Sequence, residues 1–466
     1  MLTRTAENYL SAWHRKSHRK PLVIRGARQV GKSTLVRRFT QNNGLILNEI
    51  NLERHLYLDT AFKSLDMDVI LRELDAVAGR RIHAPDTVLF LDEIQATPHA
   101  IAALRYFYET IPDLPVIAAG SLLEFALADL HFSMPVGRID YYHLGPMTFN
   151  EFLTAKEPEL FPYLSGFHAG QTIPQAAHLK LVKRQREYLF VGGMPEAVNA
   201  FVAENALPEV TAVHRSISQT YQDDFSKYAK QKDLALMQAV FRQIPRIIGQ
   251  KVKYSNISKE EKSREVRSVI DLLVKARVCH QVFHSNCSGV PLMADIHENV
   301  YKLLFMDVGM VAWLTGLDWI ALQRLDGQAL VNEGKLAEQF VGLHLFNPLE
   351  PPQLVYWLRE VKSANAEVDF VTASGNQVIP IEVKAGKSGA LKSLQQFVLN
   401  KNAGLCVRFD LNPPGMQEIT HSVKAADGNV PVTYRLLSLP LYLAEELPRI
   451  LDEIRKGEKE MLNFEC

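Results

Sequence analysis

Residues 21–39, PLVIRGARQVGKSTLVRRF, decide the fold of this chain. The apolar run 21–25 predicts a short buried strand, residues 34–39 predict a helix, and the loop between them has the spacing G-x-x-x-x-G-K-S. The glycines of such a loop let backbone N–H groups turn inward around phosphates, and the helix N-terminus adds a partial positive charge. The stretch therefore predicts a phosphate-binding loop (P-loop) in an α/β domain.

The P-loop supplies most of the predicted nucleotide site. We expect the Lys32 side chain to reach the β- and γ-phosphates and the Ser33 hydroxyl to bind magnesium. The predicted ligand is ATP with Mg2+, and the predicted reaction is ATP hydrolysis. The candidate binding residues in and just after the loop are Gly26, Ala27, Arg28, Gln29, Val30, Gly31, Lys32, Ser33 and Thr34.

Acidic and hydroxyl residues follow two further predicted strands. Residues 87–91 form a continuous apolar run that ends at Asp92 and Glu93, as is typical of a buried parallel strand whose carboxyl end faces the site. We expect Asp92 to hold the magnesium shell and Glu93 to orient and activate the attacking water. The strand predicted at 114–119 leads into Ser121. Ser121 is predicted to sense the γ-phosphate or to cap the following helix, and both roles can hold together.

At these motifs the chain resembles the bacterial AAA-type P-loop ATPases. The shared motifs are GARQVGKS at 26–33, LDEIQ at 91–95, Gly-Ser at 120–121, Gly-Arg at 137–138 and LGPMTFNEF at 144–152. The resemblance covers about the first 200 residues. It implies that Arg138 is an arginine finger, acting in cis or from a neighbouring subunit of a homo-oligomer. The alternative is an ordinary surface or ion-paired arginine.

A second resemblance concerns the segment Gly192-Gly193-Met194-Pro195. It is similar to the Gly-x-Pro signature that closes the nucleotide pocket in related signalling ATPases. The two glycines permit a tight backbone bend, and the resemblance implies that Met194 and Pro195 pack on the adenine. A simple helix–helix turn is the alternative.

The middle of the chain is predicted to be helical and then to form a winged helix. Apolar residues recur at helical spacing over 153–250, and residues 254–283 have the order helix, helix, hairpin. The predicted recognition helix presents Arg264, Arg267 and Lys275, which are placed to meet DNA phosphates. Many winged helices bind proteins instead, so DNA and protein partners both stay open.

The segment that follows contains a distinct signature, Lys302-Leu-Leu-Phe-Met-Asp307-Val-Gly309, within residues 301–316. It resembles a domain of unknown function that bacteria commonly fuse to this type of ATPase. That resemblance assigns no chemistry to Asp307, which is predicted to cap the helix that follows it.

The C-terminal third contains a third constellation of charged residues. Glu338 lies on a predicted helix, Asp369 ends a predicted strand, and Glu382 and Lys384 are two apart on the next strand, so that they point to the same face. Glu338, Asp369 and Glu382 are candidate ligands of a hard divalent cation, and Lys384 is a candidate catalytic residue that steadies the attacking water or the scissile phosphate.

This constellation resembles the PD-(D/E)XK nuclease superfamily over about residues 333–410, with Gln395 at a further family-like position. The resemblance implies a nuclease-like α/β fold. It leaves two outcomes open, because such folds cut nucleic acid in some proteins and bind without cutting in others.

Composition limits the class of protein. The chain has 466 residues, 52 Lys plus Arg and 52 Asp plus Glu, so no net charge draws the whole molecule to nucleic acid or membrane. Residues 1–38 and 226–277 are nevertheless locally basic. The four cysteines are scattered, the N-terminus lacks a signal-peptide core, and no segment reaches the length of an apolar membrane span. These features predict a cytoplasmic protein with no membrane partner.

Together these features predict a multidomain α/β protein. The predicted parts are an AAA-type ATPase core (1–150), a helical lid and connector (151–225), a winged-helix-like domain (226–330) and a nuclease-like domain with a helical tail (331–466). The favoured function is an ATP-dependent switch that controls nucleic-acid binding or cleavage. The rivals are a signalling switch with an inactive nuclease-like domain and a DNA-binding regulator.

Overall fold

A computed structural model of the chain describes residues 2–120, 137–204, 207–228, 231–317, 319, 333–346, 353–360, 365–386, 390–425 and 428–464. Two sheets organise these residues, one of five strands in the N-terminal part and one of eight strands in the C-terminal part. Helices between them connect the two sheets.

The N-terminal sheet is parallel and has the strand order β2-β3-β4-β1-β5. Its strands are β1 Leu22–Arg25, β2 Ile46–Asn51, β3 Thr87–Asp92, β4 Val116–Ala119 and β5 Asp140–His143. The helices of this part are α1 Ala6–His14, α2 Lys32–Asn42, α3 Leu58–Ser64, α4 Met67–Ala78 and α5 Pro98–Thr110. The predicted α/β domain with a parallel sheet is confirmed.

The sheet is buried on both faces. Because side chains alternate along a strand, Ile24 and Phe90 enter one hydrophobic cluster and Val23 and Leu91 enter another. The six residues of β3 are all buried, as the continuous apolar run suggested. Because β4 pairs in parallel with both β1 and β3, the carboxyl ends of all three strands lie at the same end of the sheet, where the P-loop begins.

The middle of the chain is helical, as predicted. Its helices are α6 Phe149–Lys156, α7 Pro162–Ser165, α8 Gln175–Val191, α9 Pro195–Glu204, α10 Leu207–Tyr228, α11 Gln231–Gln243, α12 Tyr254–Ile257 and α13 Ser263–Lys275. Helix α6 begins with a capping box, in which Thr148 accepts from the Glu151 backbone and Glu151 accepts from the Thr148 backbone. This cap turns the chain sharply away from β5.

The C-terminal sheet has the order β12-β13-β11-β10-β9-β8-β6-β7. Its strands are β6 Cys279–Ser285, β7 Ile296–Phe305, β8 Val355–Arg359, β9 Ala366–Ser374, β10 Gln377–Val383, β11 Leu405–Asp410, β12 Gly415–Ala425 and β13 Gly428–Pro440. The helices are α14 Val308–Leu314, α15 Glu333–Phe346, α16 Lys392–Lys401 and α17 Leu447–Phe464.

The hairpin of the predicted winged helix belongs to this same sheet. Strands β6 and β7 are antiparallel, and β6 also pairs with β8, since Phe283 lies opposite Val355. The boundary predicted at residue 330 therefore falls between strands of one sheet. Sequence periodicity predicts a hairpin but not the third strand that joins it.

The C-terminal tail is a continuous helix. Helix α17 runs without interruption from Leu447 to Phe464, although it contains Pro448 and Gly457. Pro448 lies in the first turn, where its missing N–H has no helical partner to lose. Within the described part of the chain, no helix combines the length and apolar character that a membrane span requires.

Candidate functional site

The P-loop curls around its own lysine. Gly31 immediately precedes α2 with φ 90°, and Gln29 has φ 63°, so the backbone of the loop turns through the left-handed region twice. The buried Lys32 side chain donates from Nζ to the carbonyl oxygens of Gly26 (3.1 Å) and Ala27 (2.9 Å). The ammonium is thus held inside the loop that the sequence predicts to surround phosphates.

Gly26 has no room for a side chain. It has φ 148°, and a Cβ at this position would lie 2.1 Å from the carbonyl oxygen of Leu144. Leu144 comes this close because its N–H donates to the Arg25 carbonyl at 2.8 Å, which continues the pairing of β1 with β5. The first glycine of the motif is therefore required by the neighbouring strand as well as by the loop.

Ser33 and Asp92 lie together. The Ser33 hydroxyl donates to Asp92 Oδ2 at 2.9 Å, so the start of α2 is joined to the end of β3. Burial raises the pKa of the Asp92 carboxyl, against the hydrogen bond that Ser33 donates. A hydroxyl and a buried carboxylate side by side are oxygen ligands of the kind that magnesium prefers, so this pair fits the ion that accompanies ATP.

Glu93 is held in an unusual backbone conformation. It has φ 52°, and its Oε2 accepts from Gln95 Nε2 at 2.5 Å. Left-handed backbone in a residue other than glycine costs about 1–3 kcal/mol and concentrates at functional sites. Gln95, the last residue of the LDEIQ motif, positions the Glu93 carboxylate.

Three further side chains hold the P-loop from outside. Arg4 donates to the Val30 carbonyl at 3.0 Å and forms an ion pair with Glu151 at 2.9 Å. Tyr221 on α10 donates to the Arg28 carbonyl at 3.0 Å, and Asp224 forms an ion pair with the Arg28 guanidinium. Sequence reasoning did not assign these contacts, because they join residues more than 20 positions apart and no local pattern marks them.

Pro195 lies next to the P-loop. Its Cγ is 3.6 Å from the position that a Cβ on Gly31 would occupy. Thr34 follows Ser33 in the first turn of α2. Ser121, the predicted sensor, lies outside the described residues.

Arg138 lies near the amino ends of the strands, at the opposite end of the sheet from the P-loop. It precedes Asp140, which pairs with Leu22 at the amino end of β1, whereas the P-loop follows the carboxyl end. Its Nε forms an ion pair with Glu109 Oε1 at 2.8 Å, and its side chain is 45% exposed. This placement does not bring Arg138 to the P-loop of its own chain, which corrects the cis form of the prediction.

The Gly192-Gly193 segment is hydrogen-bonded to Asp307, in the signature at residues 301–316. We call this contact the Gly193–Asp307 clasp. Asp307 Oδ2 accepts from the Gly193 N–H at 2.6 Å, and its Oδ1 accepts from the Met310 N–H at 2.8 Å. Burial raises the pKa of Asp307 to about 6 despite these backbone N–H donors. Asp307 therefore caps α14 as predicted and, unexpectedly, also binds the turn that carries Pro195.

Small residues are obligatory in this clasp. A Cβ on Gly193 would lie 2.0 Å from the Met147 carbonyl oxygen, and a Cβ on Gly309 would lie 2.6 Å from the Gly192 nitrogen. Gly192 itself has φ 71°. The backbone of the segment before Pro195 is thus fixed between Met147, which follows β5, and the start of α14.

The predicted nuclease-like residues converge, but a lysine lies among them. Lys302, on β7, is buried, and its Nζ lies 2.9 Å from Glu338 Oε1 and 2.5 Å from Glu367 Oε1. Lys384 Nζ lies 2.5 Å from Glu382 Oε1.

The backbone completes this cluster. Asp369 Oδ2 accepts from the Val383 N–H at 2.8 Å. Burial raises the pKa values of Glu338 and Glu382 to about 7, against the charges of Lys302 and Lys384 respectively.

This cluster does not fit a divalent cation as it stands. Lys302 and Lys384 each pair with a predicted metal ligand, and one oxygen of Asp369 accepts from a backbone N–H. Glu382 Oε2 is buried without a hydrogen-bond partner among the described residues, but one orphaned oxygen does not make a coordination shell. No group of three or more His, Cys, Asp or Glu in the described ranges is arranged to hold a metal.

The basic residues predicted to meet DNA lie on the surface of α13. Val266 and Leu273 are buried on the opposite face of this helix, while Arg264 and Lys275 are exposed. Arg267 donates to Asn299 Oδ1 at 2.6 Å. The structure therefore leaves contact with DNA a prediction.

Three family models match separate parts of the chain. A model described as an AAA domain matches residues 18–153, a domain of unknown function (DUF8612) matches 182–320, and another domain of unknown function (DUF4143) matches 333–425. A comparison with curated proteins gives no match. The predicted ATPase resemblance is supported, whereas neither domain of unknown function assigns a nuclease.

Solved structures give weak similarities. The Aeropyrum pernix ORC1 protein, solved with DNA, is 13% identical, with 70% of this chain and 94% of that chain covered at a TM-score of 0.27. A signal transduction ATPase with a tetratricopeptide repeat sensor from Pyrococcus horikoshii is 12% identical, with 75% and 46% covered at 0.27. Cdc6p from Pyrobaculum aerophilum is 10% identical, with 68% and 92% covered at 0.23. These TM-scores are too low to establish a shared overall fold or function.

The conclusion rests on the sequence match and the P-loop geometry. Residues 18–153 match the AAA domain, and within them Lys32, Ser33 and Asp92 are brought together around the loop. Residues 18–153 therefore form a P-loop domain that is similar to the AAA domain.

Proposed function

We propose that this domain binds ATP with magnesium and hydrolyses the γ-phosphate. The observation that carries the proposal is the contact between Ser33 and Asp92 beside the buried ammonium of Lys32. Lys32 and Ser33 lie at the end of the P-loop after β1, and Asp92 ends β3. The parallel sheet brings the ends of these two strands to the same side. The AAA domain match over residues 18–153 supports the same activity.

Each residue has a distinct task in this proposal. Lys32 exchanges its two carbonyl partners in the loop for phosphate oxygens, and Ser33 and Asp92 would hold the magnesium ion. Magnesium, when bound, neutralises charge that develops on the phosphates. Glu93 accepts a proton from the attacking water, while the hydrogen bond from Gln95 fixes the orientation of its carboxylate.

The experiment that tests hydrolysis compares Glu93→Gln with wild type. We expect Glu93→Gln to bind ATP but to lose at least about 99% of turnover, because the water loses its base. Glu73→Gln, a matched change at an exposed site on α4, is expected to keep wild-type turnover. Phosphate release at saturating ATP measures both. Equal turnover in Glu93→Gln and Glu73→Gln would contradict the assignment.

The output that the contacts favour is a conformational one. Pro195 lies against Gly31 of the P-loop, and the preceding Gly193 is bonded to Asp307, which begins the helix after β7. A movement of Pro195 on nucleotide binding would therefore be transmitted through Gly193 and Asp307 to β7 of the C-terminal sheet. The lysine-paired carboxylates favour this signalling output over metal-dependent cleavage of nucleic acid.

Hydrogen exchange tests the proposed output. We expect ATP to change amide exchange in residues 301–316 of wild type, because Asp307 joins that segment to Gly193. The same comparison with Lys32→Ala, which is expected to bind ATP at least about tenfold more weakly, provides the control. A wild type that binds ATP without any change in this segment would contradict the conformational output but not ATP hydrolysis.

Nucleic-acid contact and assembly complete the proposal. DNA contact would use the exposed Arg264 and Lys275 of α13.

Arg138 would act on the P-loop of a neighbouring copy in a homo-oligomer, since its exposed guanidinium does not reach the P-loop of its own chain. A cytoplasmic location agrees with Cys279, Cys287 and Cys406, which form no disulfide within the described residues.

A further inference from the structure

A cavity of about 430 Å³ lies between the ATPase domain and the C-terminal sheet. Gly26 and Ala27 of the P-loop and the segment 143–148 line one side. Residues around β6, β7 and α15 line the other, among them Arg277 and Phe346. This volume falls in the range of small-molecule sites.

Most of the wall is apolar or aromatic. Tyr188, Met147 and Leu343 line the cavity together with Phe346, whose ring lies 4.8 Å from that of His280. Such surfaces pack against a flat organic body, and few polar groups are needed to orient it. The Tyr188 hydroxyl is already committed, because it donates to the Met147 carbonyl at 2.6 Å.

The lining carries one charged group of each sign. Among the residues that line the cavity in the described part of the chain, Arg277 supplies a guanidinium and Asp307 the sole carboxylate. The Asp307 oxygens accept from the backbone N–H groups of Gly193 and Met310. Arg277 is therefore the cationic group of the lining that an anion would contact.

The histidines of the lining are neutral. His344 accepts from the Phe149 N–H and donates to the Phe340 carbonyl, which fixes it as a neutral ring. Burial, together with Arg277 and Arg25, lowers the pKa of His143 to about 4. Burial and Arg277 likewise lower the pKa of His280 to about 3. The histidines therefore add no positive charge to that of Arg277.

The backbone of Arg277 is strained in a way that aims its side chain. It adopts φ 59° at the turn from α13 into β6. A glycine would occupy this conformation without steric cost, whereas a residue with a side chain pays about 1–3 kcal/mol. The guanidinium reaches across to β5, where its Nη2 lies 3.2 Å from His143 Nε2.

We propose that this cavity binds a small organic anion, whose negative group pairs with Arg277 and whose flat apolar body lies against Tyr188 and Phe346. Such a site goes beyond ATP hydrolysis. Because Ala27 and Asp307 both line the cavity, an occupant touches the loop and the clasp on Gly193 at once.

Two naphthalene dyes test the proposal on the full chain without nucleotide. The anionic dye is 1-anilinonaphthalene-8-sulfonate, and the neutral dye is N-phenyl-1-naphthylamine, which has the same body without the sulfonate. We expect saturable fluorescence of the anionic dye with wild type and at least about tenfold weaker binding to Arg277→Gln, the loss of one charge-assisted pair. The neutral dye should bind both proteins within about twofold, since its apolar contacts are unchanged.

Matched variants separate the cavity from other surfaces. Lys63→Gln removes one positive charge at an exposed site outside the lining and should bind the anionic dye like wild type. Leu343→Trp fills the cavity and should weaken both dyes. Arg277→Gly, which suits the left-handed backbone, replaces Arg277→Gln if the latter does not fold.

Three results would overturn the proposal. They are equal binding of the anionic dye by Arg277→Gln and wild type, equal binding of both dyes by Leu343→Trp and wild type, and competitive displacement of the dye by magnesium ATP. The last result would make the cavity part of the nucleotide pocket. A chain that fails to hydrolyse ATP would leave all of these dye measurements interpretable.

Discussion

Replacing Lys302 by Met tests how the C-terminal cluster is held together. The Lys302 side chain is 2% exposed, and its ammonium lies between Glu338 and Glu367. Burial by itself lowers the pKa of Lys302, but the charges of Glu338, Asp369 and Glu367 outweigh it and raise that pKa overall. The lysine is therefore the charged partner that permits these carboxylates to be buried.

The expected loss is large because the partners stay behind. Breaking a buried pair by removing one member costs about 3–5 kcal/mol. For a domain of about 150–250 residues, about 2–4 °C of melting temperature is lost per kcal/mol. Lys302→Met is therefore expected to melt roughly 6–20 °C below wild type.

Melting followed by circular dichroism measures this loss, and the pH dependence identifies its cause. The pKa of Glu338 is raised to about 7 in the folded protein. In Lys302→Met at pH 5.5, the Glu338 carboxyl can be protonated, so the loss of the lysine costs little stability. At pH 8.5 the Glu338 carboxylate is charged and has lost its lysine partner. The deficit of Lys302→Met should thus grow as pH rises, and Lys302→Met combined with Glu338→Gln should recover part of it.

A surface pair provides the matched control. Lys251 Nζ lies 2.8 Å from Glu360 Oε2, and the Glu360 side chain is 57% exposed. An exposed pair contributes about 0–1 kcal/mol, so Lys251→Met should melt close to wild type. If Lys302→Met melted no lower than Lys251→Met at pH 8.5, the lysine-held cluster would be refuted, and the case against a metal at this place would weaken with it.

Two further predictions concern Glu445 and Arg138. Burial raises the pKa of Glu445 from 4.5 to about 8, so the folded chain holds a proton that the unfolded chain releases, and stability falls as pH rises through this interval. Glu445→Gln should lose less melting temperature than wild type between pH 5.5 and 8.5, while Glu73→Gln should match wild type; equal slopes for all three would refute this. Arg138→Ala should leave the melting temperature unchanged but lower ATP turnover at least about tenfold if the finger acts between copies. Unchanged turnover, at concentrations where light scattering shows oligomers, would remove Arg138 from the mechanism.

The sequence predicts the P-loop part of the site well because its signals are local. The strand β1, the loop and α2 are contiguous, and the acids Asp92 and Glu93 end a strand whose apolar run is plain. Parallel strands of one sheet bring such ends to one edge. The contact between Ser33 and Asp92 follows from these two facts alone.

The contacts that join the parts of the chain are not visible in the sequence. In the sequence, Lys302 is the first residue of the signature that leads to Asp307. No local pattern predicts that β7 places Lys302 beside Glu338 on α15. Asp307 was expected to cap a helix, and its second contact lies 114 residues away at Gly193. Hydrophobic periodicity identifies which face of an element is buried but not the element that buries it.

The domain boundaries show the same limit. Helix, helix and hairpin follow one another near residues 254–305 as predicted, yet the pairing of β6 with β8 places the hairpin in the C-terminal sheet. Composition gives no sign of that pairing, since an edge strand and a strand with two neighbours can have the same alternating pattern.

The central claim is that the P-loop holds magnesium ATP through Lys32. Isothermal titration of the full chain with a slowly hydrolysed ATP analogue and magnesium tests it directly, with Lys63→Ala, an exposed lysine on α3, as the matched control. Wild type and Lys63→Ala should bind one nucleotide per chain with equal affinity, and Lys32→Ala should bind at least about tenfold more weakly while keeping its circular dichroism spectrum. Binding by Lys32→Ala as tight as that of wild type, or no binding by wild type, would contradict the claim.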